Sequence, residues 1–253
     1  MTPLLMGELW ACKDSSLRYG LTRQNIKILI RLCCLGVVAH VEETRDPVSK
    51  GMCVNLSTLD HISPLHGACM QGHANCAKLL VESGANVNSA TLDGHTALTK
   101  ACAGGHATCA SLLLRHGATP RGTSPSGSPI HWAAAKGHPE CIETLVEGGA
   151  DVDQHIDTLG SPLHVACSNQ QLSSVRKLLQ LGADVNRSVS GDSPLHVASR
   201  LSSPELVSAL LDHGADHLLV NSEGKRALDL APPDSRAGRL LREAGGIQST
   251  APE

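Results

Sequence analysis

The sequence predicts an all-α solenoid of stacked helix–turn–helix units with protruding loops, and three observations predict it. The tetrapeptide Ser63-Pro-Leu-His returns as Thr96-Ala-Leu-Thr, Ser128-Pro-Ile-His, Ser161-Pro-Leu-His and Ser193-Pro-Leu-His, with a faded copy at Arg226-Ala-Leu-Asp, at steps of 33, 32, 33, 32 and 33 residues. A second marker, Gly-Ala at 84, 117, 149, 182 and 214, keeps the same step. The third observation is compositional: 253 residues contain two Trp, one Tyr and no Phe. A globular core of this size ordinarily draws volume from aromatics. A core of Leu, Ala, Val and Cys points instead to thin layers, each leaning on its neighbours to bury its apolar face.

Within each unit the residues justify the elements in order. Ser or Thr ahead of Pro sets up a helix start, with a hydroxyl for free N–H groups and a ring suited to the first turn. Leu65 and its equivalents point into the stack, and Ala68, Ala101, Ala133, Ala166 and Ala198 are small enough for neighbouring helices to approach. A Gly-His turn at 72–73, 105–106 and 137–138 separates the first helix from a Leu-rich second one such as Cys76-Ala-Lys-Leu-Leu-Val. The Gly of Gly-Ala ends that helix, because it tolerates left-handed geometry. A loop carrying Val-Asn or Val-Asp leads to the next unit. This reading gives a partial start and five full repeats over 51–222, a capping repeat over 223–247 and a disordered tail over 248–253.

The N-terminus departs from the pattern. Gly51-Met-Cys-Val-Asn aligns with Gly84-Ala-Asn-Val-Asn, so a second helix should occupy the residues just before it, yet Pro47 falls where helix is required. Residues 1–50 therefore read as an atypical segment joined mid-repeat, as alternative splicing would produce: either partly disordered or a helix over 26–41 that covers the end of the stack.

The repeat, about 33 residues with a T-P-L-H-x-A signature, resembles the ankyrin family. Finer segments resemble the ankyrin repeat and SOCS box family: Asp60-His-Ile-Ser-Pro-Leu-His-Gly-Ala-Cys, Ala101-Cys-Ala-Gly-Gly, Leu159-Gly-Ser-Pro-Leu-His-Val-Ala-Cys, Asp192-Ser-Pro-Leu-His and Asn221-Ser-Glu-Gly-Lys-Arg. That resemblance implies substrate recognition by the repeats, with a C-terminal SOCS box recruiting elongins B and C and a cullin scaffold for ubiquitin transfer. No Leu-x-x-x-Cys helix or Leu-Pro-x-Pro segment follows Arg242. Elongin and cullin binding is thus expected only if a SOCS box or a substitute is present, and the alternative is a scaffold or decoy that holds the same partner without marking it. Leu29-Ile-Arg-Leu-Cys33 matches an elongin-binding helix weakly and reads better as an ordinary amphipathic helix.

Other classes of function find little support. Net charge is −3 with no basic run, against the cationic face that nucleic acid demands. The most apolar stretch, 26–41, is interrupted by Lys27, Arg31 and His40 and is too short for a membrane span. Ten Cys without a secretory signal imply reduced thiols and a cytoplasmic or nuclear setting. His66, His131, His164 and His196 occupy one repeat position, in a row and not around a point, so they should bond to neighbouring turns and hold no metal. No P-loop, dinucleotide glycine motif or nucleophile elbow occurs. The chain reads as a binding protein without catalytic residues or cofactor.

Ankyrin stacks generally bind partners through loop tips and the exposed side of the first helices. In this register the tips are Leu59, Asp60, Ile62, Leu92, Asp93, His95, Pro125, Thr158 and Leu159. The helix positions are Met70, Gln71, Lys100, Lys136, Ser168, Asn169 and Arg200. Trp132 stands where other repeats carry Gly67 and Lys100, and serves equally as a binding anchor or as core. Among the Ser-Pro pairs, those at 63, 128, 161 and 193 belong to the repeat turn, whereas Ser124-Pro125 lies in a loop and is the better kinase target.

Overall fold

A computed structural model describes residues 54, 55 and 57–246. The expectations for 1–50, including the covering helix and the Leu29–Cys33 pattern, and for the tail over 248–253 lie outside the described residues. The chain divides into two compact units, the first ending at Pro129 and the second beginning at Ile130.

The first unit contains α1 (Pro64–Met70), α2 (Ala74–Glu82), α3 (Ala97–Ala103) and α4 (Ala107–Arg115). α1 packs on α2 and on α3, α3 on α4, and α2 on α4. The second unit contains α5 (Pro129–Lys136, all but its first residue), α6 (Pro139–Glu147), α7 (Pro162–Ser168), α8 (Leu172–Gln180), α9 (Pro194–Arg200) and α10 (Pro204–Asp212), then a four-residue α11 (Ala227–Leu230) and α12 (Arg236–Ala244). Here α7 packs on α8 and α9, α6 on α8, α8 on α10, α9 on α10 and α11, and α12 on α10 and α11. First helices therefore stack on first helices and second on second. Both rows are apolar where they meet. Leu65, Leu98, Ile130, Leu163 and Leu195 are buried from the first helices, and Leu80, Leu113, Leu145, Leu178 and Leu210 from the second. The five alanines at 68, 101, 133, 166 and 198 have 0% exposure, so the close approach that they permit is fully used.

The helix starts depart from the simplest capping expectation. At Thr96 and Ser235 the hydroxyl accepts from a helix N–H in the ordinary way, that of Thr99 at 3.3 Å and of Gly238 at 3.0 Å. At Ser63, Ser161 and Ser193 the hydroxyl instead lies 2.8, 2.8 and 2.7 Å from Nδ1 of the histidine three residues on. The backbone N–H groups of Ser63 and Ser193 donate to the same nitrogens at 3.1 and 3.2 Å. A backbone N–H can only donate, so Nδ1 is an acceptor and the ring proton sits on Nε2. That proton reaches the next loop. Nε2 lies 3.2 Å from the His95 carbonyl for His66, 3.0 Å from Gly160 for His131, 3.3 Å from Asp192 for His164 and 3.1 Å from Lys225 for His196. In the full repeat that lacks the histidine, Thr99 Oγ1 donates to the Gly127 carbonyl at 2.6 Å. Each bond is worth about 1 kcal/mol net, and more is lost if one buried partner is left alone.

A second set of cross-repeat bonds runs through the Val-Asn and Val-Asp positions. Asn55, Asn88 and Asn186 accept from the backbone N–H of Asn86, Thr119 and Asp216 at 2.7–2.8 Å. Their amides donate to the carbonyls of Gly84, Gly117 and Gly214. Asp153 accepts in the same way from Asp184, but a carboxylate has no proton to return, and burial raises its pKa.

Between paired helices the chain turns through a left-handed residue. Gly72, Gly105 and Gly137 supply it at φ of 74°, 78° and 79°, as the Gly-His motif predicts. In the next two repeats Gln170 and Ser202 adopt φ of 55°, at a cost of about 1 kcal/mol each. The stacking geometry is strong enough to impose the turn on residues that disfavour it.

Two predictions follow from this packing. Ser174 is wholly buried in α8 with no hydrogen-bond partner for its hydroxyl, while Cys76, Cys109 and Cys141 occupy the equivalent place. Ser174→Cys should therefore raise stability by about 1 kcal/mol, read as a higher urea midpoint at unchanged slope. The second concerns pH. Burial holds His66, His131 and His164 below the usual value of 6.5. The unfolded chain takes up these protons first as the pH falls. Stability should thus be complete above about pH 6.5 and decline as pH drops from there through the folded-state values, before the carboxylates titrate. Urea titrations between pH 8 and pH 5 measure it.

Candidate protein-binding faces

In the first unit the loop tips are built on a buried threonine and an exposed leucine. Thr58 and Thr91 are buried, and their hydroxyls accept from the N–H of Ile62 at 2.9 Å and of His95 at 3.2 Å. That closes each turn and pushes the next residue outward: Leu59 is 47% exposed and Leu92 65%. The Leu92 N–H donates to the Asp60 carbonyl at 3.1 Å, so one tip is tied to the next. Asp60 and Asp93 are exposed beside these leucines. Ile62, His95 and Lys100 are half-buried. Burial lowers the His95 pKa, with the Lys100 ammonium adding to the effect. At the far end of α1, Met70 and Gln71 are exposed, and the Met70 carbonyl lies 3.2 Å from His106 Nε2. Pro125 is exposed on the loop that follows α4.

In the second unit Trp132 is half-buried, and the exposed Lys136 holds its ammonium 5.9 Å from the indole ring, within cation–π range. Trp132 thus contributes to the core and to the surface at once. Thr158 and Leu159 stand exposed on a tip closed by the bond from Ile156 N–H to the Gly160 carbonyl. Ser168 and Asn169 are exposed at the end of α7, where Asn169 Nδ2 donates to the Val165 carbonyl. Arg200 is exposed but engaged: its guanidinium lies 2.8 Å from Asp192 Oδ2, while Asn221 donates to Oδ1 at 2.9 Å. Burial alone would raise the Asp192 pKa, and these two partners together hold it below its usual value.

The sequence reading missed part of this surface. Asp192 and Asn221 brace Arg200, and the exposed Leu201, Leu218 and Val220 add apolar area to the second unit. Leu201 was findable, because it occupies the repeat position of Gln71, Lys136 and Asn169. The thiols lie elsewhere. Cys69, Cys76, Cys102, Cys109, Cys141 and Cys167 are buried, and burial pushes Cys167 up to about 12, which suits packing and not reactivity. Among the described residues no group of His, Cys, Asp or Glu is placed to hold a metal ion, and no helix is long and apolar enough to cross a membrane.

Comparison with known proteins identifies this architecture. A family model for ankyrin repeats (three copies) matches residues 48–124, 121–189 and 163–232. The chain belongs to the ankyrin-repeat family. Its ankyrin repeats are homologous to those of the ankyrin repeat and SOCS box proteins. Human ankyrin repeat and SOCS box protein 9 is 47% identical over 64 residues, 25% of this chain and 22% of that protein. Human ankyrin repeat and SOCS box protein 11 is 48% identical over 54 residues, 21% and 17%. These matches span about a fifth of the length of those relatives. The crystal structure of the human ASB11 ankyrin repeat domain aligns at a TM-score of 0.78 and 39% identity, covering 89% of this chain and 99% of that one. The ankyrin repeat domain of Bcl-3, a member of the IkappaB family, aligns at 0.71 and 30% identity, covering 85% and 97%. Ankyrin repeats are protein–protein interaction modules.

Surface and core ankyrin positions should separate under mutation. Leu163→Ala removes a fully buried side chain and should cost roughly 2–5 kcal/mol in urea unfolding. Met70→Ala, at an exposed helix end, should change stability by less than about 0.5 kcal/mol. Lys136→Ala should cost at most about 1 kcal/mol, the value of its contact with Trp132.

Proposed function

We propose that this chain recognises substrate proteins for an elongin–cullin–RING ubiquitin ligase. The substrate is held on the loop tips and exposed first-helix ends: Leu59, Asp60, Leu92 and Asp93 with Met70 in the first unit, and Trp132, Lys136, Thr158, Leu159 and Asn169 in the second. The observation that carries the reading is the 39% identity extending over 99% of the human ASB11 ankyrin repeat domain, a likeness well beyond the shared repeat signature. The chemistry of the faces agrees with it. They combine apolar anchors with isolated charges and lack the cationic field that nucleic acid requires.

The test pairs capture with turnover. Proteins that co-purify with the chain from cells, and that are lost when Leu92 and Met70 are replaced by Ala, are followed for half-life after the chain is depleted. The proposal expects elongins B and C in the captured set and a lengthened half-life for the captured substrate. A captured protein whose half-life shortens on depletion would overturn the ligase reading in favour of a scaffold or decoy that shields its partner.

A further inference from the structure

Seven Ser-Pro or Thr-Pro pairs fall within the described residues, and the fold sorts them by access. Ser63, Ser128, Ser161 and Ser193 are at most 8% exposed and start helices, so a kinase cannot reach them without unfolding a repeat. Ser203 is half-buried as the residue that starts α10. Thr119 is exposed, but it is flanked by buried Ala118 and half-buried Pro120, and its N–H is held by Asn88. Ser124 is half-buried like Ser203, but it starts no helix and its neighbours Thr123, Pro125 and Ser126 are exposed, in the loop between α4 and α5.

The Ser124 hydroxyl also holds that loop in place. It lies 3.2 Å from the Gly94 carbonyl and accepts from the Gly127 N–H at 3.1 Å. Thr123 donates to the same Gly94 carbonyl at 3.1 Å, and Ser126 donates to the Asp93 carbonyl at 3.2 Å. Three hydroxyls of one loop thus grip two carbonyls of the tip that presents Leu92. The fit is tight: a methyl group added at Gly94 would lie 2.2 Å from Ser124 Oγ, and one at Gly127 would lie 2.0 Å from the Gly94 carbonyl oxygen.

We propose that Ser124 is a phosphorylation site for a proline-directed kinase, and that its modification releases the 123–127 loop from the tip at Leu92–Gly94. In the transfer, Ser124 Oγ attacks the γ-phosphorus of ATP. The new Oγ–P bond forms as the bond from that phosphorus to the bridging oxygen breaks, ADP leaves, and the hydroxyl proton passes to the kinase's base. The phosphoserine no longer has a proton to offer the Gly94 carbonyl. It carries a charge of about −1.5 to −2 and only acceptor oxygens, facing the Gly94 carbonyl oxygen that the hydroxyl meets at 3.2 Å. The loop has to leave, and the first unit's candidate binding tip loses its brace.

Purified chain is incubated with a mitogen-activated or cyclin-dependent kinase and MgATP, then mapped by peptide mass spectrometry and native hydrogen exchange. The expected result is phosphate on Ser124, its absence from Ser63, Ser128, Ser161 and Ser193, and amide exchange at Gly94 and Gly127 faster by about tenfold. Phosphate at Thr119, Ser203 or a repeat-turn serine while Ser124 stays unmodified would overturn the site. Phosphate on Ser124 with unchanged exchange at Gly94 and Gly127 would overturn the release. Both readouts are independent of any ligase or bound substrate, so the function proposed above stands or falls separately.

Discussion

In four of the repeats a buried imidazole connects the repeat to the loop that follows. Ser63 fixes Nδ1 of His66 as an acceptor, which leaves the Nε2 proton for the His95 carbonyl. The same arrangement recurs at Ser193 and His196 with the Lys225 carbonyl. The helix start, the ring orientation and the position of the next loop are thus one connected unit. A solenoid of small repeats has no central core to position its loops, so each layer must carry its own device. Thr99 shows that the requirement is for a donor at that point, since a hydroxyl reaching Gly127 meets it with a shorter side chain.

The loop tips depend on this device. His95 supplies the carbonyl that His66 binds, and its own N–H is taken by Thr91, so the turn between them is held at both ends and Leu92 is forced outward. Asp192 is held likewise: its carbonyl binds His164, and its carboxylate takes Arg200 and Asn221. Candidate binding residues therefore sit on turns whose geometry is set before a partner arrives, which lowers the entropy cost of association.

Most of the fold was legible because the repeat carries its own alignment. Gly-Ala marks the end of each second helix, Ala68 and its equivalents mark the close contacts, and both roles follow from residue size and backbone freedom. The role of the serines was less legible. The general rule assigns a helix-start hydroxyl to the helix N–H groups, and only a histidine at the third helical position redirects it, a pairing that depends on ring orientation. The binding surface was read more coarsely still. Leu201 could be inferred from repeat position, but the brace on Arg200 joins Asp192 and Asn221, 29 residues apart, through side-chain directions that periodicity does not encode. Trp132 lies half-buried beneath Lys136, and repeat position alone does not divide core from surface there.

The central claim is that the histidine of one repeat holds the loop of the next, and native-state hydrogen exchange of His164→Ala tests it most directly. The account predicts that amides over 189–192 lose protection together with those of α7, because the Asp192 carbonyl loses its partner across the repeat boundary. Loss of protection confined to residues 161–168, with 189–192 exchanging as before, would contradict it.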